Sequence, residues 1–103
     1  MADEITTSQH ILIPDRVLFR ELDGESVLLN LDNDSYYGLD QIGTRMLQLL
    51  MSSKSIQEAH TVLLDEYEVE PQRLQSDLLE LIGELKEQGL ITLVNEPTVS
   101  AGA

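Results

Sequence analysis

Between Glu25 and Leu50 the chain reads ESVLLNLDNDSYYGLDQIGTRMLQLL, and its polarity changes period partway along. Val27, Leu29 and Leu31 alternate with Leu28 and Asn30, the period of two expected of a half-buried strand. Asp32, Asn33, Asp34 and Ser35 then supply side chains that bond their own backbone, a turn signal. Strand chemistry resumes at Tyr36, Tyr37, Gly38 and Leu39, with Tyr37 and Leu39 assigned to one face and Tyr36 and Gly38 to the other. Asp40 is placed to cap a helix over residues 41–51, whose apolar side is Ile42, Met46, Leu49 and Leu50. Gly43 inside that helix costs about 1 kcal/mol relative to alanine. Its presence predicts close packing of that helix face against the sheet or another helix. A hairpin that runs straight into a helix leaves its second strand at a sheet edge, open to another chain.

Upstream, residues 16–22 predict a strand with Val17, Phe19 and Glu21 on one face and Leu18, Arg20 and Leu22 on the other. Neither face is cleanly apolar, so the pattern leaves the register open. Asp23-Gly24 is a two-residue hairpin turn of the type that needs positive φ. The result is three antiparallel strands in sequence, a meander. His10-Ile11-Leu12-Ile13-Pro14 is an apolar run stopped by proline, either an edge segment lying against the domain or one exchanged in a dimer. Residues 1–9 lack periodicity, as a mobile tail does.

Downstream, Ser55-Ile56-Gln57-Glu58 is a capping box, in which Ser55 and Glu58 satisfy each other's free backbone donors. It opens a second helix with Ile56, Ala59, Leu63 and Tyr67 on one face. Pro71 suits the first turn of a third helix, where its missing N–H costs nothing. Leu74, Leu78, Leu81 and Leu85 form a stripe there, with Leu79 and Ile82 on one shoulder and Asp77, Glu80 and Glu84 on the other. Gly89 reads as a left-handed stop, and residues 90–94 as a short closing strand. Strands grouped before helices indicate the α+β class. The expected domain spans residues 16–94, between flexible segments at 1–15 and 95–103.

Composition removes several functions. A chain of 103 residues is one small domain that buries roughly 60–65 % of its unfolded surface. With no cysteine it has neither a disulfide framework nor a thiolate zinc site. No apolar run approaches the roughly 18–20 residues of a membrane span. The start, MADEITTSQH, lacks the basic and apolar regions of a signal peptide, so the expected location is the cytoplasm. The net charge of −13, from 19 acids against 6 bases, repels nucleic acid and anionic lipid. It favours a Lys- or Arg-bearing partner or simply aids solubility, and charge alone does not separate the two.

Catalytic motifs are missing. His10 and His60 have no ligand spacing, and there is no nucleophile elbow, Walker loop or dinucleotide fingerprint. Asp32-Asn33-Asp34 looks like the start of a calcium loop, but the required glycine and closing glutamate do not follow, which leaves a β-turn. Neither an enzyme nor a cofactor is expected. A DNA-reading helix needs Arg and Lys to hold phosphates. The third helix instead sets Arg73 and Lys86 against Asp77, Glu80, Glu84 and Glu87. Peptide capture by strand addition fits better: residues 35–39 offer an edge, Gly38 either admits a guest backbone or marks a bulge, and the wide apolar arc of the third helix brings Leu78, Ile82 or Leu85 to a groove. For each leucine singly, a plain core role is the alternative.

The ordered series Ser26-Val27-Leu28-Leu29-Asn30-Leu31, Tyr36-Tyr37-Gly38-Leu39-Asp40-Gln41-Ile42-Gly43, Met46-Leu47-Gln48-Leu49-Leu50 and Ser55-Ile56-Gln57-Glu58-Ala59 resembles the PqqD-like family. Tyr67-Glu68-Val69, Asp77-Leu78-Leu79, Leu85 and Gly89-Leu90-Ile91 continue the likeness, which covers residues 16–94. Leu39-Asp40 stands where the family often has Leu-Asn. The resemblance implies a winged-helix-like domain that recognises the leader of a ribosomally made, later modified precursor peptide (a RiPP recognition element). Such a domain binds the leader as an extra strand beside the third strand, in the cleft against the third helix, and presents the precursor to a partner enzyme. In pyrroloquinoline quinone synthesis that partner is a radical S-adenosylmethionine enzyme; in lasso-peptide pathways the partners are a leader peptidase and a cyclase. The Tyr-Tyr-Gly-Leu-Asp stretch looks more like the stand-alone lasso type.

Carried over by position, the guest would meet the backbone of Tyr36, Tyr37, Gly38 and Leu39 and the side chains of Leu74, Asp77, Leu78, Leu81, Ile82 and Leu85. Asp77 would pair with a basic leader residue; as an acid in the helix's N-terminal half it also suits the helix dipole, the alternative reading. On that reading, Leu78→Glu abolishes binding without unfolding the domain. The rival functions are a scaffold module for a folded partner and an acidic winged helix on DNA. An unpaired edge is compatible with a monomer or a homodimer.

Overall fold

The computed structural model describes residues 5–95. In chain order the elements are β1 (His10–Leu12), β2 (Val17–Leu22), β3 (Glu25–Asn30), β4 (Tyr36–Leu39), α1 (Gln41–Ser52), α2 (Ile56–Glu66), α3 (Pro71–Glu87) and β5 (Thr92–Val94). β2, β3 and β4 form the expected antiparallel meander, and the class is α+β. The outer parts of the two flanking segments, 1–4 and 96–103, lie outside the described residues.

The β2–β3 turn is built on Asp23 at φ 55° and Gly24 at φ 84°, the pair of left-handed residues whose twist matches a two-residue hairpin. It fixes the register that pairs Phe19 with Leu28, and Leu28 in turn pairs with Tyr37. The inner face is therefore Val17 and Phe19 on β2, Ser26, Leu28 and Asn30 on β3, and Tyr37 and Leu39 on β4.

For β3 this reverses the face suggested by apolar alternation. Leu28 is fully buried beside two polar residues, whereas Val27 and Leu31 are exposed. The polar pair is tolerated inside because each member finds a partner. Ser26 Oγ lies 2.7 Å from Thr44 Oγ1, and Asn30 accepts from Asp32 N at 2.9 Å and donates to the Gly89 carbonyl at 3.4 Å. In the next turn Asn33 Oδ1 accepts from the Ser35 amide and hydroxyl, with Asp34 at φ 60°.

α1 begins where Asp40 accepts from the Gly43 amide at 2.8 Å. A Cβ on Gly43 would stand 3.2 Å from Leu39 Cδ2 and 3.3 Å from Asp40 Oδ1, so the glycine lets the helix start tight against the end of β4. The buried side of α1 is Met46, Leu47, Leu49 and Leu50; Ile42, expected among them, is exposed, and Leu47 is fully buried instead. α1 packs on β1, β3 and α2, which widens its buried arc.

At α2, Ser55 accepts from Glu58 N, but Glu58 returns its bond to the amide of Lys54, one residue earlier than a capping box requires. The two remaining first-turn amides are met from outside the helix. Ile56 N donates to the Gln9 carbonyl and Gln57 N to the Thr7 carbonyl. Thr7 and Gln9, in the stretch whose pattern suggests a mobile tail, thus bond into the domain, and Ile5 packs against its core. α3 ends in a Schellman motif: Leu90 N donates to Leu85 O, Gly89 N to Lys86 O, and Gly89 sits at φ 74°.

The closing strand does not join the meander. β5 pairs antiparallel with β1, His10 opposite Val94 and Leu12 opposite Thr92, as a separate two-stranded sheet. The proline-stopped run is thus an edge segment of its own domain. The core, with Leu28, Leu47, Ile56, Leu63, Leu78 and Ile82 fully buried, lies between the inner sheet face and the three helices.

Candidate functional site

β4 is hydrogen-bonded to β3 on one side; among the described residues its other edge has no strand partner. Facing that edge is a groove of about 510 Å³. Tyr37, Gly38, Leu39 and Asp40 form one wall, Ile42, Gly43 and Met46 of α1 the floor, and Asp77, Glu80, Leu81 and Glu84 of α3 the other wall. The sequence places them there by simple spacing. On a helix, positions 77, 80, 81 and 84 lie at offsets of three and four and share one side.

A smaller, mostly apolar hollow of about 130 Å³ continues from the groove, sharing Ile42, Met46 and Asp77. Leu63, Tyr67, Val69, Arg73 and Leu74 complete it. Next to it, Arg45 grips Glu66 with two nitrogens, Nε at 2.9 Å and Nη2 at 2.5 Å, and ties α1 to the end of α2. That bond, rather than burial, holds the Glu66 carboxyl below its usual range.

Across the groove, the Tyr37 hydroxyl donates to Glu84 Oε1 and links β4 to α3. The Tyr37 pKa is raised above 10.0, first by this hydrogen bond, then by burial and by the negative charges of Glu84 and Glu80. The α3 wall thus presents three carboxylates and one leucine, and no residue lining the groove is a lysine or arginine. It is suited to a cationic, extended guest, and unsuited to phosphate.

Of the residues named from sequence, Tyr37, Gly38, Leu39, Asp77 and Leu81 come together on this groove. Tyr36 points to the opposite face of the sheet and is 74 % exposed. Leu74 backs the smaller hollow. Leu78, Ile82 and Leu85 are 0 % exposed, so they support the α3 wall from the core side and offer no surface to a guest. Gly38 has open space where a Cβ would stand, so the fold itself does not require glycine there. Sequence reasoning missed the α1 floor and the place of Glu80 and Glu84 in the groove wall. The signal is the acidic shoulder at 77, 80 and 84, and the pair Ile42 and Met46, four apart on the apolar side of α1. Among the described residues no group of three His, Cys, Asp or Glu side chains could hold a metal ion. No helix among them is long and apolar enough to cross a membrane.

Residues 25–91, from β3 through the start of the closing segment, match the family model described as coenzyme PQQ synthesis protein D (PqqD). No curated protein matches the chain. Among solved structures the fold is similar to that of TbiB1 in complex with the TbiA(beta) leader peptide, with a TM-score of 0.72 and 33 % identity, over 77 % of this chain and 92 % of that one. It is also similar to a lasso peptide synthetase B1 complexed with its leader peptide, with a TM-score of 0.71 and 25 % identity, over 81 % and 98 % of the two chains.

Proposed function

This chain belongs to the PqqD family, and on that premise we propose that it is a peptide chaperone, without catalytic activity of its own, that captures the leader of a ribosomally made precursor. The observation that carries the reading is the unpaired edge of β4 facing α3 across the groove. A leader strand laid against β4 satisfies backbone donors and acceptors that the edge leaves free, and its alternate side chains enter the groove. Side chains directed at α3 meet Leu81 and the carboxylates of Asp77, Glu80 and Glu84. The cleft therefore favours a leader with lysine or arginine among its apolar residues. Both solved relatives are complexes with leader peptides, which supports the same mode here.

The captured precursor is presented to a modifying enzyme. The lasso-type partners, a leader peptidase and a cyclase, are favoured by the likeness to the B1 protein, and the radical S-adenosylmethionine enzyme of the quinone pathway comes next. The site of action is the cytoplasm, where precursors are made. The test is an amide NMR titration with the leader encoded beside this gene. Shifts gathered in residues 36–43 and 77–84 are expected. Shifts confined to the far face of the sheet, or a flat titration, would overturn leader capture in this groove in favour of a scaffold role.

A further inference from the structure

The outward face of the meander carries an unusual composition for so acidic a chain. In register, Leu18, Leu29 and Tyr36 form one row across all three strands, and Arg20, Val27 and Gly38 form the next. Leu22 follows, and Leu31 continues the apolar surface past the end of β3. Leu18 is 36 % exposed and Leu22 77 %, and most of the large apolar side chains left in solvent among the described residues lie on this face. Its strand positions hold one cation, Arg20, and one anion, Glu25. The acids gather at the rim instead, with Asp23 in one turn and Asp32 and Asp34 in the other. An apolar centre with an acidic rim is the anatomy of a docking surface.

We propose that this outward sheet face docks the enzyme that acts on the captured precursor, a protein presenting an apolar patch ringed by lysines and arginines. The inference rests on leader capture at β4. Two observations select this occupant. A second copy of the chain would bring its own net charge of −13 and the same acidic rim, which opposes face-to-face pairing. The face is also continuous with the groove, because both share β4: Tyr36 lies on the outward side and Tyr37 on the groove side. A leader strand added beside β4 widens the same face by one strand, and its outward side chains extend the row that ends at Tyr36. The enzyme then meets a broader surface on the loaded protein than on the empty one, and prefers the loaded form.

The test uses the full chain with the precursor peptide and the modifying enzyme encoded beside its gene. Leu18→Arg/Leu22→Arg changes two exposed side chains on β2, the strand farthest from the groove, and circular dichroism checks that the variant is folded. The variant should bind the leader within about twofold of the parent and the enzyme about 30-fold more weakly. Hydrogen exchange on the parent should slow across residues 18–31 when the enzyme is added. Unchanged enzyme affinity in the variant, or no enzyme binding by the loaded parent, would overturn the proposal. So would a parent dimer that the variant converts to monomer, which would make the face a contact between copies. Failure of the parent to bind the leader strikes the groove reading itself, and is separated from these by measuring leader affinity first.

Discussion

The two long sides of α3 are built from the same seventeen residues and do opposite work. One side, Leu74, Leu78, Ile82 and Leu85, is closed into the core; the other, Asp77, Glu80, Leu81 and Glu84, faces the groove. Leu81 and Ile82 are neighbours in sequence, 100° apart around the helix, and they fall on different sides. The lesson is that a helix wide in apolar residues need not be wide in function. Its apolar arc holds the fold, and a narrow border of that arc, lined by acids, faces the groove.

The largest effect that could break this division is at Leu78. Leu78→Ala is expected to cost roughly 2–5 kcal/mol, and Leu78→Glu adds an unpaired buried carboxylate. Against a total stability of about 5–15 kcal/mol, the glutamate variant should show no folded baseline in a urea titration. The expectation that it would lose binding alone is therefore replaced by loss of the fold. A folded Leu78→Glu protein would mean that the buried side is not the core.

Leu81→Glu is the counterpart across the border. Leader affinity, read by fluorescence anisotropy, should fall about 10- to 100-fold. Stability, because Leu81 is half-buried against the core, should fall by about 1–2 kcal/mol, well short of the loss at Leu78. Equal losses of stability at positions 78 and 81 would erase the distinction.

The acids sharpen it further. Asp77→Asn/Glu80→Gln/Glu84→Gln should weaken a cationic leader by about 3- to 10-fold at low salt and flatten the salt dependence of binding. A salt slope equal to the parent's would remove these carboxylates from recognition.

The smallest effect is spectroscopic. In an ultraviolet titration of the free protein, the Tyr37 phenol should ionise above 10.0, and Glu84→Gln should bring it back toward that value. The folded protein holds this proton more tightly than the unfolded chain does. Whatever stability the bond supplies is thus intact below the unfolded-state value and is lost as pH rises through the folded-state value. A Tyr37 that ionises identically in both proteins would mean that β4 and α3 are not tied through Glu84.

Local features were legible in the sequence because one or two residues decide them. Asp23-Gly24 announced a left-handed turn, Asp40 a helix start, Pro71 a first turn and Gly89 a stop, and each has the geometry its chemistry required. What the pattern misassigned depended on distant partners. Ser26 is buried because Thr44 meets its hydroxyl, and Asn30 because Gly89, 59 positions away, accepts its amide hydrogen. No periodicity in β3 contains that information: the alternation of Val27, Leu29 and Leu31 points that face inward, whereas in the fold it faces outward and Leu28 alone of the strand's apolar residues is inside. The β1–β5 pairing was hidden for the same reason, as it joins residues about 80 positions apart. The groove was half legible. The edge of β4 followed from the order of elements, whereas the boundary between groove and core on α3 depends on how the helix is rolled against the sheet, which apolar residues on both sides of the border do not specify.

The pairing of β1 with β5 also matters for engineering. His10 and Val94 stand opposite each other, so two points 84 positions apart, near the two ends of the described chain, lie about 5 Å apart at the backbone. A module whose two joints meet can be spliced into a surface loop of a host protein without prising that loop apart. Its cleft would travel with it as a cassette.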